Sequence, residues 1–283
     1  MVEEAIKKAG ILIEALPYIK KFHEKIFVIK YGGSILGEKR IRKSVLEDIA
    51  FLRYTGIRPI LVHGGGPDIT ERLKKCKVTT RFVEGMRVTD EFTLKIVEEE
   101  LNKLNDLIVQ EINSQKAPAK GLRRESGILT AVKKQSKKDL GFVGEMINCN
   151  VRQLKETAKK AIPVIAPMGA SGDGTTFNIN ADEVASFLAS QLKAEKLILL
   201  TNVLGVMRKS GDESSLISTL TIKEAEELIG EKVVDEGMIP KVRAAVGAIQ
   251  TGVSKAHIID AKVPHAILLE IFTNEGVGTE ITQ

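Results

Sequence analysis

Five short aliphatic runs constrain this chain more than any other feature: Ile26 to Ile29, Pro59 to Val62, Ile162 to Ala166, Leu197 to Leu200 and Ala256 to Ile259. None of them alternates with polar residues, so strands built from them must be covered on both faces. Helical patterns separate most of them, at Ile41 to Tyr54, Asp90 to Ser114, Ala181 to Lys193 and Thr221 to Gly230. Buried strands alternating with amphipathic helices predict an α/β fold around a largely parallel sheet. Lys120 to Val151, with alternating segments broken by glycines, is predicted to form antiparallel hairpins inserted on one side. Ahead of the first strand, Ala5, Ile6, Ala9, Leu12, Ile13, Leu16 and Ile19 recur at helical spacing. They predict an amphipathic helix over residues 2 to 22, interrupted near Pro17, that lies on its own core or packs on a second subunit.

A chain of 283 residues suits one large domain or two lobes. No run approaches the ~20 apolar residues of a membrane span, which predicts no membrane segment. The N-terminal apolar stretch is broken by Glu14 and preceded by Glu3 and Glu4, against a leader peptide, so a cytoplasmic chain is expected. Cys76 and Cys149 lack metal or redox spacing and read as packed, reduced thiols. A net charge of +5 raises nucleic acid as a partner, but the basic residues are interleaved with acids and aromatics are only 4%, which disfavours it. The cluster Lys133, Lys134, Lys137 and Lys138 reads as a solvated loop. A modest positive field also suits small anionic substrates.

In open parallel sheets ligands gather at the carboxyl ends of strands. Three of the five runs end there in small-residue loops: VIKYGGS, LVHGGGPD and APMGASGDGTTFNINAD. Such loops turn several backbone N–H groups into one concavity, which phosphate or carboxylate oxygens fit. Neither GxxxxGK[ST] nor a GxGxxG opening a helix is present, so any nucleotide binds by another arrangement. His63, ahead of the second loop, reads as a core imidazole.

The motifs VIKYGGS, LVHGGGPDI, GMRVTDEFT, FNINADEVA, EKLILLTNVLGV, GMIPKV and HAILLEIFTNEGVGT occur in the order found in the N-acetylglutamate kinases of the amino-acid kinase family. The resemblance runs from about Glu14 to the end. It implies an open αβα sandwich, the carbamate kinase-like fold, with an arm over residues 1–24, a substrate and dimerisation lobe over 25–194 and a nucleotide lobe over 195–283. It implies transfer of the γ-phosphoryl group of ATP, with Mg2+ held mainly by the ATP phosphates, to the side-chain carboxylate of N-acetyl-L-glutamate, the second step of arginine synthesis. No metal ligand set in the chain is implied. Lys30 and Lys241 match the family's transition-state lysines, and Asp182 matches the carboxylate that orients them. Gly32, Gly33 and Gly64 match the phosphoryl loops. Gly65, Gly66, Arg87 and Asn178 match the substrate site. Thr201, Asn202, Val203, Leu204, Gly205 and Val206 match the nucleotide segment.

The chemistry agrees with those roles. The acceptor carboxylate, with an ordinary pKa of about 4.3, is already ionised at neutral pH and needs no general base. The barrier is the approach of two anions, and ammonium groups lower it. On residue chemistry alone, Arg87 is either a surface ion pair or a bidentate carboxylate clamp, Asn178 a ligand or a turn residue, and Asp182 the carboxylate of a first helical turn.

The chain departs from the family at GLRRES, Gly121 to Ser126, where relatives carry Gly-Lys-Asp; Arg123 and Arg124 are expected on the surface. It also departs at Asn202, where most have aspartate, and at Leu204, often polar. The arm and the C-terminal motif resemble the arginine-inhibited members. They imply a homo-oligomer, a hexamer built as a trimer of dimers, with L-arginine bound by Lys196, His257, Glu270 and Gly276 near Tyr18, and a PII-type protein as a possible regulator. Glu270 alone could equally be an exposed helix carboxylate. A carrier-linked aminoadipate kinase and a non-catalytic arginine-sensing subunit are the competing readings.

Overall fold

The computed structural model describes residues 2–83, 85–273 and 276–283. Asn274 and Glu275 of the C-terminal motif lie outside the described residues, as do Met1, Glu84 and the side chains of Glu4, Ala5, Lys7, Lys8 and Ser34. The chain opens with α1 (Val2–Phe22), β1 (Ile26–Tyr31), α2 (Lys39–Tyr54), β2 (Arg58–His63), α3 (Gly66–Lys75), β3 (Phe82–Val83), β4 (Met86–Arg87) and α4 (Glu91–Ser114). It continues through β5 (Ala119–Leu122), β6 (Leu129–Lys133), β7 (Gly144–Cys149), α5 (Val151–Lys160), β8 (Ile162–Ile165), β9 (Met168–Ala170), β10 (Thr176–Asn178) and α6 (Ala181–Leu192). The last part holds β11 (Lys196–Thr201), β12 (Thr219–Thr221), α7 (Ile222–Gly230), α8 (Ile239–Gln250), β13 (Lys255–Asp260), α9 (Ala266–Phe272) and β14 (Thr279–Thr282).

Eight strands form one sheet in the order β12-β14-β13-β11-β1-β2-β8-β5, parallel except where β14 runs against β13. All five aliphatic runs are in it. Along β1 the side chains alternate: Val28 joins the core under α5, α6, α7 and α8, while Phe27 and Ile29 join the core under α1, α2, α4 and α9. That period of two explains the unbroken apolar run, because both faces bury. Each fully buried side chain of this size contributes about 1.5–3 kcal/mol.

The helix limits follow local chemistry. Asp90 caps α4 by accepting from the Thr93 N–H at 2.7 Å, and Thr221 with Glu224 forms a reciprocal capping box on α7. Two expectations need correction. First, α1 runs through Pro17 without interruption. Proline deprives the carbonyl four residues back of its partner, and here that residue, Ile13, is exposed, so water can serve its carbonyl. Second, β5 is not part of the inserted hairpins: it pairs in parallel with β8 at the edge of the main sheet. β6 and β7 do form the expected antiparallel pair, within a small sheet ordered β10-β9-β6-β7.

Arg123 pairs with Asp106 and Arg124 with Glu98, both on α4, as a surface role requires. In the lysine cluster, Lys133 pairs with Asp139 and Lys134 with Glu183, while Lys137 and Lys138 are exposed. Among the described residues, no helix is long and apolar enough to cross a membrane.

Candidate active site

Register places Lys30, near the end of β1, between Val62 of β2 and Leu199 of β11, in the middle of the sheet. The chain turns at once through Gly32 and Gly33. A Cβ on Gly32 would lie 3.0 Å from both the Cα and the N of Gly64, so the two glycine loops approach backbone to backbone. Gly33 has φ +84°, a conformation that costs glycine nothing and burdens other residues. The Gly64 N–H donates to the Tyr31 carbonyl at 2.9 Å, fixing one loop against the other. Helix α3 begins at Gly66, which lines the same space, so the positive end of its dipole lies there.

Asp182 reaches this space from the first turn of α6. Asn180 caps that helix, accepting from the N–H groups of Asp182 and Glu183 at 2.8 and 3.3 Å. The buried Asp182 carboxylate has Lys30 Nζ 2.9 Å from Oδ1 and Lys241 Nζ 3.3 Å from Oδ2. Burial opposes its ionisation, but the two ammonium charges prevail and hold its pKa below the usual value. Two lysines from distant parts of the chain thus share one carboxylate and carry a net charge of +1.

A cleft of about 780 Å³, including its open mouth, is lined by Lys30, Gly33, Gly64, Gly65, Gly66, Arg87, Asn178 and Asp182, together with apolar side chains such as Ile69, Leu101 and Val143. Lys241 is not in the lining and touches the site through Asp182. Arg87 is buried. Its guanidinium donates to Thr70 Oγ1 at 2.7 Å, to the Gly66 carbonyl at 3.0 Å and to Thr80 Oγ1 at 3.3 Å, and lies over the Phe82 ring at 4.8 Å. Among the described residues no carboxylate pairs with it, which excludes the surface ion pair there and leaves a buried cation facing a cleft. Burial lowers its pKa, but a guanidinium stays charged. Asn178 is a strand residue of β10, not a turn residue; its Nδ2 donates to Thr89 Oγ1 at 3.3 Å.

The segment from Thr201 to Val206 leaves the carboxyl end of β11 and does not line this cleft. Thr201 Oγ1 closes a turn with Val203, Lys262 Nζ donates to the Asn202 carbonyl at 3.0 Å, and Thr279 Oγ1 accepts from the Val206 N–H at 2.8 Å. The three threonines about Arg87 and Asn178, namely Thr70, Thr80 and Thr89, escaped sequence reasoning; short hydroxyl residues leave no periodic signal.

A second pocket of about 1110 Å³ opens where α1 meets the carboxyl side of the chain, with Tyr18, Phe22, Lys196, Glu270, Gly276 and Glu280 in its lining. Buried His257 lies behind it, its Nε2 2.6 Å from Lys196 Nζ and its Nδ1 2.7 Å from Glu270 Oε1. Burial lowers the His257 pKa, so the neutral ring accepts from the lysine and donates to the carboxylate. Burial also brings the Lys196 ammonium down to about 8. Glu270 Oε2 accepts from the Val277 N–H at 2.7 Å. Its side chain is only 6% exposed, which rules out the exposed-carboxylate reading.

Residues 25–260 match the sequence profile described as "Amino acid kinase family". The chain belongs to that family. It is 46% identical over 280 residues to a protein named "Acetylglutamate kinase" from Desulforamulus reducens, covering 98% of each chain. Among solved structures it is similar to N-acetylglutamate synthase from Neisseria gonorrhoeae. The form complexed with coenzyme A and N-acetyl-glutamate gives a TM-score of 0.88 at 26% identity, and the form complexed with coenzyme A and L-arginine gives 0.84 at 25%. These cover 97% of this chain but 63% and 65% of the synthase, so the chain spans less than two thirds of that protein's length.

Proposed function

We propose that this chain catalyses ATP-dependent phosphorylation of the side-chain carboxylate of N-acetyl-L-glutamate, giving N-acetyl-L-glutamyl 5-phosphate and ADP. The observation that carries the reading is the buried Lys30–Asp182 pair, joined by the partly buried Lys241, beside the facing glycine loops. A carboxylate oxygen of the acceptor attacks the γ-phosphorus, the bond to the bridging oxygen breaks, and its electron pair leaves with ADP. No proton moves. Lys30 screens the meeting anions from the substrate side, Lys241 neutralises the leaving side, and the loop N–H groups receive the transferring oxygens. Asp182 aligns the ammonium groups and abstracts nothing, being ionised and doubly paired.

Arg87 supplies the buried cation for the substrate's α-carboxylate, and Asn178 adds an amide beside it. Ile69, Leu101 and Val143 suit the methylene and acetyl carbons. Residues 25–194 act as the substrate lobe and 195–283 as the nucleotide lobe, with Thr201 to Val206 contacting ATP. Any Mg2+ is carried by the phosphates of ATP, since Asp182 is already occupied by two cations.

The second pocket is the L-arginine site: Glu270 and Glu280 offer carboxylates to a guanidinium, and Lys196 offers a cation to a carboxylate. α1 is the arm of a hexamer, supported by the exposed apolar side chains Ile6, Ile11, Leu12 and Ile13, which occupy more than one face of the helix. A coupled ADP-release assay with N-acetylglutamate, glutamate, carbamate and UMP tests the main reading. Turnover with N-acetylglutamate at least about 100-fold above the others is expected, about 2.7 kcal/mol, the scale of a few lost contacts; equal turnover with glutamate would sink it.

A further inference from the structure

Asn105 of α4 is fully buried beneath the second glycine loop, outside the cleft lining. Its Nδ2 is 2.9 Å from the Val164 carbonyl and 3.0 Å from His63 Nε2. The orientation of the amide follows from its partners. A carbonyl oxygen can only accept, so the NH2 group faces Val164, and the same nitrogen then faces His63. His63 Nε2 must therefore be the accepting nitrogen, and the ring proton sits on Nδ1. That nitrogen is 3.2 Å from the Gly64 carbonyl, to which it donates. Burial depresses the His63 pKa to about 4, so the ring is neutral at working pH.

Room for the amide comes from Gly121 on β5. A Cβ there would lie 2.2 Å from Asn105 Oδ1, and that oxygen has no hydrogen-bond partner among the described residues. A buried acceptor without a partner is costly, so the site tolerates strain to keep the NH2 group where it is. With its N–H given to Tyr31 and its carbonyl to His63, Gly64 is held at both ends of the residue. The next residues, Gly65 and Gly66, which line the cleft, follow directly from this fixed peptide.

We propose that Asn105 and His63 are positioning residues for phosphoryl transfer: Val164, Asn105 and His63 form a relay that selects one imidazole tautomer and locks the Gly64 peptide. The proposal rests on the reading that this loop receives the transferring phosphoryl group. The relay acts on the transition state, so its loss lowers kcat and leaves substrate binding at Arg87 largely intact.

The ring itself is measured first, by NMR of the unliganded protein carrying 15N-labelled histidine, with the His63→Asn variant used for assignment. The proton is expected on Nδ1 in the parent and on Nε2 in Asn105→Asp, whose carboxylate can only accept. A proton on Nε2 in the parent overturns the relay. Kinetics follow, with folding checked by urea midpoint. His63→Asn keeps a donor where Nδ1 stood and is expected to hold kcat within about fivefold, whereas His63→Gln, with its donor displaced, loses about tenfold or more, with KM for N-acetylglutamate within about threefold. Equal kcat in the two variants overturns the positioning role. The ring measurement needs no substrate, so its failure is separate from failure of the kinase reading, which the acceptor assay decides.

Discussion

Replacing Lys30 by methionine tests the electrostatic argument at its strongest point. Lys30 and Lys241 share the single charge of Asp182, at 2.9 and 3.3 Å, so the cluster carries +1. Without Lys30 it becomes a neutral Lys241–Asp182 pair. A unit charge ~4 Å from developing negative charge is worth about 4 kcal/mol at an effective dielectric of 20, or about 10³ in rate. The remaining pair offsets part of this, so kcat is expected to fall about 10²–10⁴-fold in the ADP-release assay. Breaking a buried ion pair also destabilises, by about 3–5 kcal/mol when a charge is stranded, less here because Lys241 stays. The double variant Lys30→Met/Asp182→Asn separates the two effects. It restores the count of +1 on Lys241 alone and should recover much of the unfolding free energy but none of kcat. A single variant with kcat within tenfold of the parent would refute the reasoning, as would a double variant that regains activity through net charge alone.

Arg87→Lys keeps the charge but loses the planar fork; KM for N-acetylglutamate should rise about 10–100-fold with a smaller change in kcat, measured by initial rates. Removing residues 1–24 should yield dimers by light scattering and abolish most arginine inhibition; a truncated hexamer still inhibited by arginine would contradict the arm's role. Asp48 on α2 is buried against His265, with 2.6 Å between Oδ1 and Nδ1, and burial pushes its pKa from 3.8 up to about 6. A raised carboxylate pKa means the folded state holds the proton more tightly, so this residue's contribution to stability falls as pH rises from about 4 to 6. Relative to the parent, Asp48→Asn should gain up to about 3 kcal/mol between pH 4 and 7, read from urea unfolding at each pH; a constant difference would show that folding does not shift this carboxyl's pKa.

The central strands were legible because burial on both faces leaves no polar residue in the run, as in Leu197 to Leu200. The edges were not. β5, with Lys120 and Gly121 in a four-residue strand, has the composition of a loop, and only its pairing with β8 makes it a strand. Motif order put Lys30, Asp182 and Arg87 in one site, and they do line one cleft. Asn105 was invisible for a different reason. It sits one turn from Leu101 and beside Leu104 in an ordinary amphipathic helix, and its function comes from two hydrogen-bond partners, His63 of β2 and Val164 of β8, and from the space that Gly121 of β5 leaves. Glu270 was ambiguous in the same way, since a glutamate on a short helix is normally exposed, and His257 and the Val277 N–H draw it inward.

The sheet order gives the lysine pair a mechanical consequence. β1 and β11 are neighbours at the centre of the sheet, so the proposed division at residue 194 runs between them. The Lys30–Asp182 contact then lies inside the substrate lobe, whereas Lys241–Asp182 crosses to the nucleotide lobe. A rigid displacement of one lobe leaves the first contact at 2.9 Å and lengthens the second from 3.3 Å. Coulomb attraction falls with separation, so lobe opening withdraws charge from the leaving side of the reaction while the acceptor side stays ready. Crystals with and without a non-hydrolysable nucleotide should therefore differ in the Lys241–Asp182 distance and agree in the Lys30–Asp182 distance. If both distances change together, Asp182 does not belong to the substrate lobe and the seam lies elsewhere.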